Sequence, residues 1–178
     1  MDSFDAALWV GKLARAEFFA AELFEEGFRS AFPVARENCG LPIPTPPANW
    51  WQYCALYKWP DGRIETAGFC NWIRYDEVYL LGGIVVRRDI YRRMPAAHRE
   101  ACSRLGGFAQ IMADTAAREL TDCAAWFGYT GDGKSSNIAW RVGFATTSHR
   151  HLIVKWFTTL PPTDQERLIA KIAAIGPF

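Results

Sequence analysis

The chain has 178 residues, of which 50% are hydrophobic and 15% aromatic, and its formal net charge is +1. This length suits one domain with a sizeable core, and the apolar content excludes a disordered chain. With a net charge this close to zero, the chain as a whole has no electrostatic attraction for nucleic acid or an anionic membrane.

The five cysteines are an odd number, are widely spread and include no C-x-x-C pair, which argues against a zinc site. Cys54, Cys70 and Cys123 lie in apolar strand-like segments, where we expect reduced core thiols. The first residues lack the basic and apolar regions of a secretion signal, and no apolar run reaches about 18 residues. We therefore expect a cytoplasmic protein without a membrane-spanning segment.

The N-terminal residues 1–32 predict one or two helices that begin at a cap on Asp2 or Ser3. Apolar side chains recur there at steps of three and four residues: Trp9, Leu13, Ala16, Ala20, Phe24 and Phe28. Residues 33–49 contain five prolines and predict a long surface loop.

The central region predicts an antiparallel meander followed by a helical crossover. Aromatic and β-branched runs at 51–59, 64–74 and 78–87 read as strands, because turn signals separate them. An apolar helix at 108–120 and a strand at 124–129 follow. Since that strand is reached through a helix, it should run parallel to the third strand.

The last third of the chain predicts a short helix at 136–142, which Gly143 ends, and two β segments at 145–148 and 150–158. A C-terminal helix is predicted at 162–175. The fold class is therefore α+β. We expect one domain over residues 1–178, with the sheet and ligand-binding core at 50–158.

The segment Arg104–Ala109 reads R-x-x-G-x-A and opens the apolar helix. Glycines allow successive backbone N–H groups to turn toward one point, and a helix N-terminus adds partial positive charge. This pattern predicts a cradle for a pyrophosphate, to which Arg104 adds a charge-assisted hydrogen bond. The alternative is a plain turn, in which Gly106 ends one helix and Phe108 begins the next.

The order of strand, glycine loop, helix, strand and a later Asn137…Gly143-Phe144 segment resembles the GNAT superfamily of acyl-CoA-dependent N-acyltransferases, over about residues 51–157. The resemblance implies a mixed, mostly antiparallel sheet flanked by helices, with strands splayed near a central β-bulge. It implies acetyl-CoA as co-substrate, held at the loop and at the next helix. The loop and helix residues are Arg104, Leu105, Gly106, Gly107, Phe108, Ala109 and Asn137.

Gly82-Gly83 inside the third meander strand predicts a β-bulge. In the family, such a bulge opens a wedge between two parallel strands, into which the pantetheine arm and acyl group fit. The resemblance implies that backbone groups of Ile84, Val85 and Val86 pair with the pantetheine amides. The alternative is that Trp72 or Trp126 packs over the glycine backbone.

Catalytic residues are weakly specified. The family often has a tyrosine acid four residues before the Gly-Phe pair, but Ala139 stands there. Tyr129, at the end of the fourth predicted central strand, is a substitute acid, and Glu77 or Glu65 is a candidate base. For each of these residues a surface or turn position is the competing interpretation.

Two further groups remain open. The arginines between 87 and 104, among them Arg88, Arg92 and Arg93, either neutralise the coenzyme A 3′-phosphate or form a solvated face. His149 and His151 could share a metal, but no third ligand is evident, which favours solvent-facing edge residues.

The leading functional prediction is acetyl transfer from acetyl-CoA to a primary amine of a small molecule or protein, by direct attack in a ternary complex. A GNAT-shaped binding or scaffold protein without transferase activity is the alternative. A nucleic-acid acceptor is a minority interpretation, and a homodimer stays open.

Overall fold

A computed structural model describes residues 3–12, 50–131 and 133–178, which form a seven-stranded sheet and six helices. The strands are β1 (Leu8–Lys12), β2 (Trp50–Lys58), β3 (Ile64–Tyr75), β4 (Val78–Val86), β5 (Ala125–Tyr129), β6 (Ala145–Thr146) and β7 (Leu152–Trp156). The helices are α1 (Phe4–Ala7), α2 (Arg88–Arg93), α3 (Ala96–Arg104), α4 (Phe108–Glu119), α5 (Gly133–Val142) and α6 (Pro162–Ala173).

The sheet order is β1-β2-β3-β4-β5-β7-β6. Every neighbouring pair is antiparallel except β4 and β5, which are parallel, as the helical crossover predicts. The meander strands and the turn at residues 60–63 are confirmed: the Trp59 amide donates to the Arg63 carbonyl at 2.7 Å, and Gly62 has φ +87°.

The predicted N-terminal helix is wrong over residues 8–12. The Ser3 hydroxyl caps only the short α1, where it accepts from the Ala6 amide, and the chain then continues as β1 beside β2. Backbone pairing with an existing strand outweighs the helical spacing of apolar residues there, because propensity is a weak prior against tertiary contacts. The rest of the predicted helix, the proline-rich loop and Cys39 lie outside the described residues.

The C-terminal elements follow the predicted order with different bounds. α5 begins at Gly133, three residues earlier than predicted, and residues 147–151 form a turn instead of strand. The Thr147 hydroxyl stabilises that turn, because it hydrogen-bonds the carbonyls of His149 and Leu152. β6 and β7 are therefore shorter than predicted.

The core has two layers, one on each face of the sheet. α4 covers one face, where Met112, Trp72 and Trp126 are fully buried and the two indole rings lie 4.1 Å apart, tilted by 42°. α6 covers the other face, where Ile172 is fully buried. The predicted core thiols Cys54, Cys70 and Cys123 are buried and free, which confirms that prediction, and Cys102 is buried and free as well.

Candidate functional site

The parallel strands β4 and β5 separate after a short paired stretch. Their register runs from Val78 opposite Ala125 only to Leu81 opposite Gly128, although β4 continues for five more residues. Val86 is 44% exposed even though β4 is the fourth of seven strands. Residues 82–86 of β4 therefore have no strand partner on the side of β5, and we call this unpaired region between β4 and the end of β5 the strand wedge.

A β-bulge at Gly82 begins the separation. Asn71 of β3 pairs with Gly83 and Trp72 pairs with Leu81, so Gly82 is the extra residue of β4. A Cβ atom placed on Gly82 would lie 2.5 Å from the Asn71 side-chain nitrogen. The bulge prediction is confirmed, but the alternative reason for glycine is wrong, because Asn71 and not a tryptophan covers the backbone.

The backbone of β4 presents alternate peptide groups to the wedge. The Arg87 amide donates to the Ala67 carbonyl of β3 at 2.8 Å, and the Val85 carbonyl lies against Gly68 of the same strand. Since peptide groups in an antiparallel strand alternate in direction, Ile84 and Val86 direct their N–H and C=O groups into the wedge. Val85 by the same alternation directs its peptide groups toward β3.

The glycine turn before α4 does not form the predicted cradle. The Gly106 amide donates to the Ser103 carbonyl and the Gly107 amide donates to the Cys102 carbonyl, each at 2.9 Å. These two bonds are the Schellman pattern that ends a helix, here α3, and both glycines have positive φ, +85° and +87°. The prediction that these amides point toward an anion is wrong, and the plain-turn alternative describes them.

The first turn of α4 has two amides, those of Ala109 and Gln110, that do not donate to the end of α3. The Phe108 amide hydrogen-bonds the Cys102 thiol. Burial raises the pKa of that thiol to about 11, and this effect outweighs the lowering by the Phe108 hydrogen bond. The turn, loop and cap hydrogen bonds of the described residues do not include the Ala109 and Gln110 amides, and the N-cap residue Gly107 has no side chain that could cap the helix. Both residues are more than nine-tenths buried.

Exposed groups surround this turn. Leu105 is 50% exposed, and Arg104 beside it is also exposed. A Cβ on Gly106 would lie 3.7 Å from an Arg141 guanidinium nitrogen, so α5 brings a second cation here. Asn137 is exposed on α5 one turn before Arg141, hence on the same helix face. Ala139, at the family's acid position, is buried.

The catalytic candidates occupy opposite ends of the sheet. Tyr129 is half-buried where β5 borders the wedge, and its ring packs edge-on against Phe178 with centroids 5.2 Å apart. Glu77 precedes β4 at the end away from the wedge and lies 3.6 Å from Lys171. Glu77 therefore lies away from the wedge, and its role as a base stays a prediction of the sequence.

Glu65 is held by arginines. Its carboxylate lies 2.7 Å from the Arg93 guanidinium and 3.8 Å from that of Arg87. The hydrogen bond from Arg93 holds the pKa of Glu65 below its usual range, which makes this carboxylate a poor base. Arg93 also pairs with Asp89, so it is less available to a phosphate than Arg88 and Arg92, which are exposed.

An open depression of about 540 Å³ lies between α2 and α3, next to the glycine turn. Arg99, Arg104 and Tyr91 line it, and the Tyr91 hydroxyl hydrogen-bonds Ser103. Helix α3 belongs to the segment that separates β4 from the glycine turn, so this segment forms one wall of the site region.

A polar group at the end of β5 was missed by the sequence analysis. The Nδ1 atom of His151 lies 3.0 Å from the Thr130 carbonyl, which can only accept, so Nδ1 is the donor and Nε2 is the ring nitrogen left for another partner. The Thr130 hydroxyl hydrogen-bonds Ser136 at 3.0 Å, and His151 has φ +68°. Only the pairing of β5 with β7 brings these residues together, and no sequence spacing signals it.

His149 and His151 therefore lie in a turn and not on one strand face, which corrects the sequence interpretation. Within the described ranges, no group of three or more metal-ligating side chains is present. None of the helices in the described part of the chain is long and apolar enough to cross a bilayer.

No family model and no curated protein matches this sequence. Solved structures do match its fold. The ribosomal-protein-S18-alanine N-acetyltransferase of Escherichia coli aligns with 87% of this chain and 97% of its own, with TM-score 0.53 and 14% identity. Tetrahymena GCN5 aligns over 84% and 92%, with TM-score 0.52 and 8% identity. The Escherichia coli protein YhhK bound to coenzyme A aligns over 84% and 98%, with TM-score 0.50 and 14% identity.

The chain has the GNAT fold. At these identities the likeness is one of fold, and it confirms the predicted α+β architecture with its mostly antiparallel sheet. In GNAT terms, the strand wedge between β4 and β5 is present, whereas the glycine turn before α4 uses its amides within the protein.

Proposed function

We propose that this GNAT-fold protein is an acyl-CoA-dependent N-acyltransferase, which transfers an acetyl group from acetyl-CoA to a primary amine. The observation that carries the proposal is the strand wedge. A central strand with one exposed residue, Val86, and peptide groups without a strand partner offers a ligand an edge to pair with, which a fully paired sheet does not.

The pantetheine arm would lie along β4, where Ile84 and Val86 provide the peptide groups that face the wedge. The diphosphate would lie near Arg104 and Arg141, beside the first turn of α4, and the depression lined by Arg99 has room for part of the nucleotide. Asn137 stays a proposed contact, because it shares a helix face with Arg141.

The reaction would be a direct transfer. The amine nitrogen attacks the thioester carbonyl carbon, the carbon–sulfur bond breaks, and coenzyme A leaves as a thiol after it gains a proton. Tyr129 borders the wedge and is the proposed proton donor. We assign proton removal from the amine to Nε2 of His151 at the same end of β5, directly or through a water.

A second candidate function is ligand binding without transfer. Two observations favour it: the Gly106 and Gly107 amides are used to end α3, and Ala139 occupies the acid position in the core. Under this alternative the wedge binds an acyl-CoA or a pantetheine-containing molecule, and no acyl group moves. A cytoplasmic location stays a prediction of the sequence, and a homodimer stays open.

Thermal denaturation with acetyl-CoA, followed by thiol release with primary amines, tests both functions. A ligand at about 100 times Kd should stabilise the protein by about 2.7 kcal/mol. Stabilisation with amine-dependent thiol release is the expected result. Stabilisation by acetyl-CoA without release of coenzyme A thiol, when the amine is a peptide N-terminus, a polyamine or an amino sugar, would favour the binding alternative.

Two fragments of coenzyme A provide the matched control. Because the wedge carries the proposal, pantetheine should stabilise the protein, whereas adenosine 3′,5′-bisphosphate should do so much less. An unchanged melting curve with millimolar acetyl-CoA and with pantetheine would contradict both candidate functions.

A further inference from the structure

The Asn71 side chain has an unexplained polar atom. Asn71 is only 2% exposed, and its Oδ1 atom has no hydrogen-bond partner. Buried acceptors are nearly always paired in native proteins, because an unpaired one loses its bonds to water without compensation. The unpaired oxygen in the sheet is therefore a position where a donor from outside the protein would supply the missing hydrogen bond.

The position of Asn71 connects this oxygen with the strand wedge. Its neighbours Cys70 and Trp72 face the α4 layer, so alternation along β3 puts Asn71 on the opposite face. Its amide covers Gly82, with Oδ1 3.2 Å from the place of a Cβ there. Gly82 is the bulged residue at which β4 leaves β5, so the amide lies at the inner end of the wedge.

A second buried carboxamide lies next to it. Gln52 of β2 is directly opposite Asn71 in the sheet register and is 7% exposed. Directly paired residues on one face have Cβ atoms about 5 Å apart. The neutral carboxamides of Gln52 and Asn71 are thus buried side by side. Carboxamide oxygens accept hydrogen bonds from the N–H groups of an amine.

We propose that Asn71 is the group that holds the acceptor amine for acyl transfer. This inference rests on the proposed function, since the wedge must hold the thioester that the amine attacks. The Oδ1 atom accepts one N–H of a primary amine on the face opposite α4 and so directs the nitrogen lone pair toward the wedge. Asn71 is a binding and positioning group and does not itself take the proton.

Nuclear magnetic resonance with a small probe amine tests this site without knowledge of the natural acceptor. Coenzyme A is added first, and n-propylamine is then titrated while the backbone amide signals of Gly82 and Gly83 are followed. We expect these signals to shift in the wild type and to stay unchanged in Asn71→Leu, although coenzyme A still binds to that variant.

The outcomes separate the two proposals. If coenzyme A does not shift the backbone amide signals of β4 in the wild type, the proposed function is wrong, and this inference, which depends on it, is wrong as well. If coenzyme A binds but n-propylamine leaves the Gly82 and Gly83 signals unchanged, or if Asn71→Leu responds like the wild type, the acceptor site is wrong while the proposed function stands.

A double substitution distinguishes amine binding from a purely structural role at the bulge. Gly82→Ala puts a Cβ 2.5 Å from the Asn71 nitrogen and should displace that side chain, so it should remove the response to n-propylamine. Asn71→Ala combined with Gly82→Ala relieves the clash and should recover the melting temperature of Asn71→Ala alone. The amine response should stay absent, and its return would overturn the proposal.

Discussion

At the scale of single residues, Gly107 has a conformation that other residues rarely adopt. Its φ is +87° and its ψ is 171°, and a Cβ there would meet no atom within 4 Å. Gly107→Ala should therefore lower the free energy of unfolding through backbone strain alone, by about 1–3 kcal/mol. Urea denaturation measures this difference.

Gly131→Ala is the matched control, because Gly131 has no positive φ and also has open space around it. We expect its effect to stay within about 0.5 kcal/mol. Equal effects of the two substitutions would show that the turn at Gly107 does not have the backbone described here.

The same turn shows what sequence can and cannot predict. The letters of Arg104–Ala109 fit an anion-binding loop and a helix-ending turn equally well, because both need glycine at positive φ. The direction of the amides depends on where α3 ends, and the sequence does not contain that information. The Asn71 and His151 environments were missed for a related reason, since strand pairing alone creates them.

At the scale of secondary structure, β4 offers a direct contrast between two adjacent residues. Val85→Pro removes an N–H that faces β3, whereas Val86→Pro removes one that faces the wedge. We expect Val85→Pro to cost about 1–3 kcal/mol more in unfolding free energy than Val86→Pro. Chemical denaturation of the two variants checks this order.

For coenzyme A affinity, Val86→Pro should be the more harmful of the two substitutions. Val86→Pro should weaken coenzyme A binding about tenfold, which corresponds to one lost hydrogen bond, while its own stability changes little. Calorimetric titration gives the dissociation constants. Unaltered affinity in Val86→Pro would mean that the ligand does not pair with this strand.

Helix α6 packs on the sheet through three buried apolar side chains, Leu168, Ile169 and Ile172. Ile172 is fully buried in the second core layer, whereas Ile175, just beyond the helix, is 43% exposed. Ile172→Ala should cost about 2–5 kcal/mol in unfolding free energy. Ile175→Ala should cost less than about 1 kcal/mol, and similar losses for both would contradict this packing.

The meander and the crossover were predictable because their signals are local and agree with each other. Aromatic strand patterns, a Pro-Asp-Gly turn and an apolar helix all favour one topology. The N-terminal strand was not predictable in this way. Its residues 8–12 carry helical spacing, and only the presence of β2 beside them makes a strand the better choice.

At the scale of the whole molecule, the chain order brings the site features to one edge of the sheet. α4 runs back to the start of β5, so its first turn lies near the ends of β4 and β5, where Tyr129 and the wedge also lie. α5 begins at the same edge, directly after β5. The topology therefore positions the ligand groups, while the individual amides and side chains determine what binds.

Hydrogen exchange of the β4 amides tests the central claim most directly. In the free protein, the amides of Ile84 and Val86 should exchange rapidly and that of Val85 slowly, because only Val85 donates to β3. Saturating coenzyme A should slow exchange at Ile84 and Val86 by at least about tenfold and leave Val85 unchanged. Slow exchange of all three amides in the free protein, or no effect of coenzyme A, would contradict an open wedge that binds the cofactor.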